Sequence, residues 1–220
     1  LTWEHRISYS RTARYFCSNE PSAYTPYLCY VLHGYGQLPQ YFLKKFTRLA
    51  RKDILFVAPE GLHRFYLKGN DGRVGSSWMT KEDRLQDIKD YCQLLDAVHV
   101  DLSWSQQRQR QKIAVLGFSQ GVATAARWAA HSSHSFDELI LWSGAFPPDL
   151  DFNKAADKLP HTPIHLRLGN DDPYASLARL EEQSAFLKKQ GLQVEAQAFE
   201  GGHELPLGEL KSLFSFLFPL

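Results

Sequence analysis

The sequence predicts an α/β domain: a mostly parallel central sheet of about eight strands with helices on both faces. Two observations predict it. Short runs at Tyr27–Leu32, Ile54–Ala58, Ile113–Leu116, Leu139–Trp142, Ile164–Leu168 and Val194–Phe199 are mostly rich in Val, Ile, Leu or aromatics, and each ends in turn-forming residues. Longer stretches with apolar residues at helical spacing lie between them. Strands and helices alternating in this way read as right-handed crossovers onto one sheet buried on both faces. No internal repeat or low-complexity linker interrupts the pattern, so residues 1–220 are assigned to a single domain.

The opening segment differs from the rest. Ile7–Ser10 and Arg14–Cys17 have the composition of two strands joined by a short turn, and are expected to form an antiparallel edge of the same sheet. Helices are expected over Pro39–Arg51, Lys81–His99, Gln120–His131, Ala175–Gln190 and Pro206–Phe218. In the last of these, Leu207, Leu210, Leu213, Phe214 and Leu217 share one face, which reads as core-facing rather than membrane-binding. Between Ser143 and Pro163 the chain carries Pro147, Pro148, Pro160 and Pro163 with Asp149, Asp151, Lys154, Asp157 and Lys158 among them. Such a segment suits a solvated connection with one short helix, and no large lid.

Composition excludes several classes of function. Hydrophobic residues at 44% and charged residues at 22% exclude a disordered chain. Lys and Arg total 25 against 24 Asp and Glu, a net charge of +1, which leaves no surplus for a dedicated nucleic-acid binder. No apolar stretch approaches the roughly 18 residues of a bilayer span, so no stable membrane insertion is expected, and Leu1–Arg6 has no signal-peptide pattern. Cys17, Cys29 and Cys92 are odd in number and form no CxxC pair; with Cys29 inside an apolar run, they point to buried thiols in a reducing, cytoplasmic compartment. His131 with His134, and His161 with His165, have metal-like spacing but lack a third ligand nearby, so they read as a solvated helix end and the start of a strand.

The residues that follow each run decide the functional reading. His33-Gly34-Tyr35-Gly36 follows Leu32, Gly117-Phe118-Ser119-Gln120-Gly121 follows Leu116, and Ser143-Gly144 follows Trp142. Gly169-Asn170-Asp171-Asp172-Pro173 follows Leu168, and Glu200-Gly201-Gly202-His203 follows Phe199. Ligands of open parallel sheets bind beyond the carboxyl ends of the strands, so a serine, an aspartate pair and a histidine converge on that rim. The Gly-x-Ser-x-Gly segment, between a strand and an Ala-rich helix, lifts Ser119 on a sharp turn whose crowding glycine relieves. Serine needs a base and a group that orients the base. His203, behind two glycines, is the candidate base, and His33 is expected to order neighbouring loops. Pro173 biases Asp172 toward an extended backbone, favouring it over Asp171 as the acid.

The order Ser119, Asp172, His203 resembles the α/β-hydrolase superfamily, and specifically its phospholipase/carboxylesterase branch that includes acyl-protein thioesterase-like enzymes. Leu32–Gly36, Ala58–Gly61, Ser77-Trp78, Gly117–Gly121, Gly169–Pro173 and His203 carry the resemblance. It implies Ser119 as nucleophile, Asp172 as acid, His203 as base, and an oxyanion hole from the backbone N–H groups of Tyr35 and Gln120. Val122 departs from the branch, which commonly has a further glycine there; its bulk is expected to tilt the helix or narrow the site. Trp78, Phe118, Phe146, Tyr174 and Leu205, with Tyr35, lie beside the motif residues and are candidates to line an acyl pocket.

The expected activity is therefore hydrolysis of a small-molecule ester or thioester with a short to medium acyl chain, through an acyl-enzyme. No metal or organic cofactor is implied, because the two oxyanion donors, each worth roughly 3–4 kcal/mol, supply the electrophilic help. A catalytically silent binding protein on the same fold, and a serine peptidase or amidase, are the alternatives. Monomer and homodimer both stay open.

Overall fold

The computed structural model describes residues 2–22, 25–104, 111–152 and 158–219. Its strands are β1 (Tyr15–Cys17), β2 (Tyr27–Leu32), β3 (Ile54–Pro59), β4 (His63–Lys68), β5 (Asp71–Ser77), β6 (Lys112–Phe118), β7 (Glu138–Trp142), β8 (Ile164–Gly169) and β9 (Val194–Phe199). Its helices are α1 (Pro39–Thr47), α2 (Arg84–Trp104), α3 (Gln120–His131), α4 (Leu177–Lys189) and α5 (Leu207–Leu217), with a single 3₁₀ turn at Leu159–His161. The short helix expected between Ser143 and Pro163 falls partly on residues 153–157, which lie outside the described residues together with Lys154 and Asp157.

Seven strands form one sheet in the order β1-β3-β2-β6-β7-β8-β9, parallel throughout except for β1, which runs antiparallel to β3. Residue alternation along β2 explains the two-sided core. Leu28, Tyr30 and Leu32 face a cluster with residues of α2 and α3, whereas Cys29 and Val31 face a second cluster with α1 and α5. On α5, Leu210, Leu213, Phe214 and Leu217 are buried, so its apolar stripe faces the core. The register aligns the carboxyl ends: Leu32 pairs with Gly117, Phe118 with Trp142, and Gly169 with Phe199. Loops leaving β2, β6, β7, β8 and β9 therefore open onto one edge.

Two expectations need correction. The segment Ile7–Ser10 forms no strand; Ile7 is 90% and Tyr9 78% exposed, and the antiparallel edge consists of Tyr15–Cys17 alone. An alternating sequence beyond an edge strand has no apolar surface to cover there, so its pattern carries little force. Conversely, β4 and β5 form a separate two-stranded hairpin for which no strands were expected. Most of its residues are half-buried or exposed, so it lacks the apolar runs that marked the sheet.

The sheet also buries a polar chain. His165, on β8, is flanked by two carboxylates: Nε2 lies 2.7 Å from Glu138 Oε2, and Nδ1 lies 2.8 Å from Glu195 Oε2. Lys112 and Arg167 extend the chain at 2.7 Å from Glu138 and 3.1 Å from Glu195. His165 is thus a mid-strand hydrogen-bond partner of two carboxylates, and among the described residues no group of three or more His, Cys, Asp or Glu is arranged to hold a metal ion. Burial alone would raise the Glu138 carboxyl, but hydrogen bonds from His165 and Lys112 outweigh it and hold the group below the usual carboxylate range. Removing one member of a buried pair typically costs about 3–5 kcal/mol, so His165→Leu should lower the urea-unfolding free energy at pH 7 by about that much. A carboxylate with a depressed folded pKa stabilises above its unfolded value and loses that contribution as pH falls. The gap between native and variant should accordingly narrow below about pH 4.5; a gap independent of pH would show that packing alone is lost.

Candidate active site

Ser119 joins β6 to α3 with φ 55° and ψ −117°, a backbone conformation that L-residues rarely adopt. Two hydrogen bonds hold the turn: the Ser119 N–H donates to Trp142 O at 2.9 Å, and Ser119 O accepts from the Val122 N–H at 3.0 Å. The flanking glycines are required by close approach. A Cβ on Gly117 would overlap the Gly121 carbonyl, and one on Gly121 would overlap the Leu32 carbonyl. Val122 is fully buried and abuts Gly144, where a Cβ would fall 2.5 Å from a Val122 methyl. The missing side chain of Gly144 takes up the valine's bulk, and Val122 does not line the neighbouring pocket.

His203 and Asp172 arrive from the ends of β9 and β8. His203 Nδ1 lies 2.8 Å from Asp172 Oδ2, and the Asp172 side chain is fully buried. Asp172 Oδ1 accepts from the Tyr174 N–H at 2.9 Å, which fixes the carboxylate plane. An ionised carboxylate only accepts, so Nδ1 carries the proton and Nε2 keeps its lone pair. Phe118 and Tyr174 hold the imidazole between ring centroids at 4.9 and 4.7 Å. Asp171 is exposed, and its N–H donates to Gly201 O at 3.0 Å. The Trp142 indole N–H donates to Glu204 O at 2.8 Å, tying the histidine loop to β7.

Buried polar contacts tie the remaining loops to this rim. His33 is fully buried; its Nδ1–H donates to Gly34 O at 2.8 Å, and its Nε2 accepts from the Gly61 N–H at 3.0 Å. Its ring stacks on Trp78, whose indole N–H donates to His33 O at 2.8 Å. Gln120 grips the same strand end, accepting from the Trp78 N–H at 3.1 Å and donating to Met79 O at 3.0 Å. The Gly34–Gln37 turn is braced by Gly34 N–H on Gln37 Oε1 at 2.9 Å and Gly36 N–H on Ser76 O at 2.9 Å. Among the described residues, no protein acceptor takes the backbone N–H of Tyr35 or of Gln120.

Ser119 and His203 line a pocket of about 680 Å³ with Tyr174 and, at its floor, Leu141, Leu166 and Leu168. Four of the residues expected to line it do not: Trp78, Phe118, Phe146 and Leu205 are core residues. Closeness in sequence to a motif says nothing about which way an aromatic points, and each of these side chains packs into the core beneath the rim. Tyr35 is exposed and leans on Phe65 of the hairpin, with centroids 5.0 Å apart. The pocket also carries Lys81, Arg84, Arg127 and Ser143, which were not anticipated. Arg127 had a signal: it lies eight residues after Ser119, on the same helical face.

The phospholipase/carboxylesterase family model matches residues 20–218. No curated protein matches the sequence significantly. Among solved structures, the chain is similar to acyl-protein thioesterase 2 of Zea mays, at 20% identity over 94% of this chain and 98% of that chain, with a TM-score of 0.72. It is similar to a phospholipase/carboxylesterase from Dyadobacter fermentans, at 18% identity over 96% and 98%, TM-score 0.67. A Bacillus cereus carboxylesterase matches at 16% identity over 93% and 92%, TM-score 0.66. At these identities the structural likeness speaks to fold.

The loop geometry makes one prediction about pH. Burial pushes the His33 imidazole down to about 4, so it stays neutral in the folded chain while an unfolded histidine near 6.5 takes up a proton. The sign follows: stability is complete above the unfolded value and drains as pH falls from about 6.5 toward 4, by at most about 3 kcal/mol. In His33→Gln that contribution is gone. Urea-unfolding free energies should therefore fall less steeply between pH 6.5 and 4.5 in the variant, and equal slopes would show that His33 does not titrate as its burial requires.

Proposed function

The chain belongs to the phospholipase/carboxylesterase family, and from that premise we propose that it is a serine hydrolase acting on carboxylic esters, thioesters included, through an acyl-enzyme. The observation that carries the mechanism is the 2.8 Å contact of His203 with a fully buried Asp172, beside the same pocket as a strained Ser119. Ser119 Oγ attacks the carbonyl carbon while His203 Nε2 takes the hydroxyl proton. The carbonyl oxygen becomes an oxyanion that the N–H groups of Tyr35 and Gln120 receive, and α3 adds the positive end of its dipole. Collapse expels the alcohol or thiol, protonated by His203. Water, deprotonated by the same nitrogen, then releases the acid and restores the serine. Asp172 keeps the imidazole in the tautomer this cycle needs.

The short connection after β7 favours short to medium acyl chains. A pocket open to solvent, with a floor of a few leucines, leaves methylenes beyond its reach without their roughly 0.8 kcal/mol of burial each. Specificity constants for p-nitrophenyl esters should peak at about two to eight carbons, without a surge when the substrate forms micelles. Rates that climb to palmitoyl esters would overturn this reading of chain length.

A fluorophosphonate probe should label Ser119 in the native chain and leave Ser119→Ala unlabelled. Asp172→Asn should lower kcat by about 10³–10⁴-fold, whereas Asp171→Asn should stay close to native. Labelling that persists in Ser119→Ala, or a larger loss from Asp171→Asn, would refute the assignment.

A further inference from the structure

Resting on the serine-hydrolase reading, we propose that the pocket beside Ser119 selects esters or thioesters that carry a carboxylate at a distance from the scissile carbonyl. Ser119, Ala123 and Arg127 follow one another at four-residue spacing on the face of α3 that lines the pocket. At 1.5 Å per residue, Arg127 sits about 12 Å from Ser119 along the axis, and its side chain leans back toward the helix N-terminus. Ala123, between them, leaves the path open. A chain acylated at Ser119 therefore runs over apolar surface toward a cationic end.

That end has unused capacity. Arg127 is 5% exposed; its Nη2 donates to Asp149 at 2.7 Å, and its Nη1 to the Tyr91 hydroxyl at 3.4 Å and to Met79 Sδ at 3.6 Å. Its Nε is buried with no partner. Asp149 is shared, because Arg84 donates to its other oxygen. Two guanidiniums on one carboxylate leave one positive charge uncompensated, and Lys81 on the rim has no carboxylate partner among the described residues. No Asp or Glu is among the described residues lining the pocket. Nearer the nucleophile, the Ser143 hydroxyl is likewise buried without a partner, on a residue 3% exposed. Buried donors without acceptors are unusual in a finished core and expected where a polar ligand supplies them. A carboxylate fits best: its negative charge meets surplus positive charge, and it matches the planar guanidinium. If the arginines served only to pin the loop bearing Asp149 to α3, their loss would alter stability and leave substrate preference untouched.

The test compares matched esters. On the acyl side, p-nitrophenyl hydrogen adipate is set against p-nitrophenyl hexanoate; on the leaving-group side, the hexanoyl thioester of 3-mercaptopropionate against that of propanethiol. The native chain should favour the carboxylate member of at least one pair by about tenfold or more in kcat/KM, chiefly through KM, with the advantage shrinking as salt rises. Arg127→Met should cut that ratio by about tenfold. Arg84→Met, at the half-exposed rim, should cut it as well, because Asp149 is then left to neutralise Arg127 alone. Ratios near one in both native pairs, or ratios unchanged in the two variants, overturn the proposal and leave the hydrolase reading standing. Failure to turn over any of the four esters removes the hydrolase reading, and this inference with it.

Discussion

The tightest constraint on this molecule is the approach of backbone to backbone around Ser119. The turn from β6 into α3 holds a non-glycine residue at positive φ, a conformation that costs of the order of 1–3 kcal/mol. It persists because β2, β7 and α3 crowd it so closely that only glycine fits at 117, 121 and 144. The same crowding fixes the first turn of α3, where among the described residues no protein acceptor takes the Gln120 N–H. Strain and close packing are one feature here, so Ser119 cannot relax without moving β2, β7 and α3.

Polar contacts between loops extend that constraint outward. His33 and Trp78 stack and exchange hydrogen bonds with neighbouring backbone, and Gln120 binds the strand end that carries Trp78. A buried imidazole that is neutral, with both nitrogens occupied, rigidifies loops without introducing a charge beside the site. Asp172 and His203 depend on the opposite arrangement. There a buried carboxylate is held on one oxygen by the Tyr174 N–H and on the other by the imidazole.

Much of this was legible in the sequence, and for physical reasons. Strands such as Tyr27–Leu32 fall where their runs and turn residues place them, because an interior strand is bounded by what it buries. The turn residues after each run put Ser119, Asp172 and His203 on one rim. The hairpin β4–β5 was not legible by that route, since its half-exposed residues form no apolar run; the Gly-Asn-Asp-Gly turn at 69–72 was its signal. Side-chain direction was harder still. Trp78, Phe118, Phe146 and Leu205 sit beside the motif in sequence yet pack into the core. Periodicity counted from Ser119 would have been the better guide, because it identifies Ala123 and Arg127.

Charge placement follows from the same architecture. The sheet tolerates polar side chains in two settings. In mid-strand, both ring nitrogens of His165 lie within hydrogen-bond distance of a carboxylate, Glu138 on one side and Glu195 on the other. At the carboxyl rim, Arg127 and Ser143 keep buried polar atoms with no partner. On the proposed reading, a ligand's carboxylate would supply these two donors with acceptors. On that proposal the mid-strand contacts serve stability, whereas the atoms beside Ser119 serve a ligand.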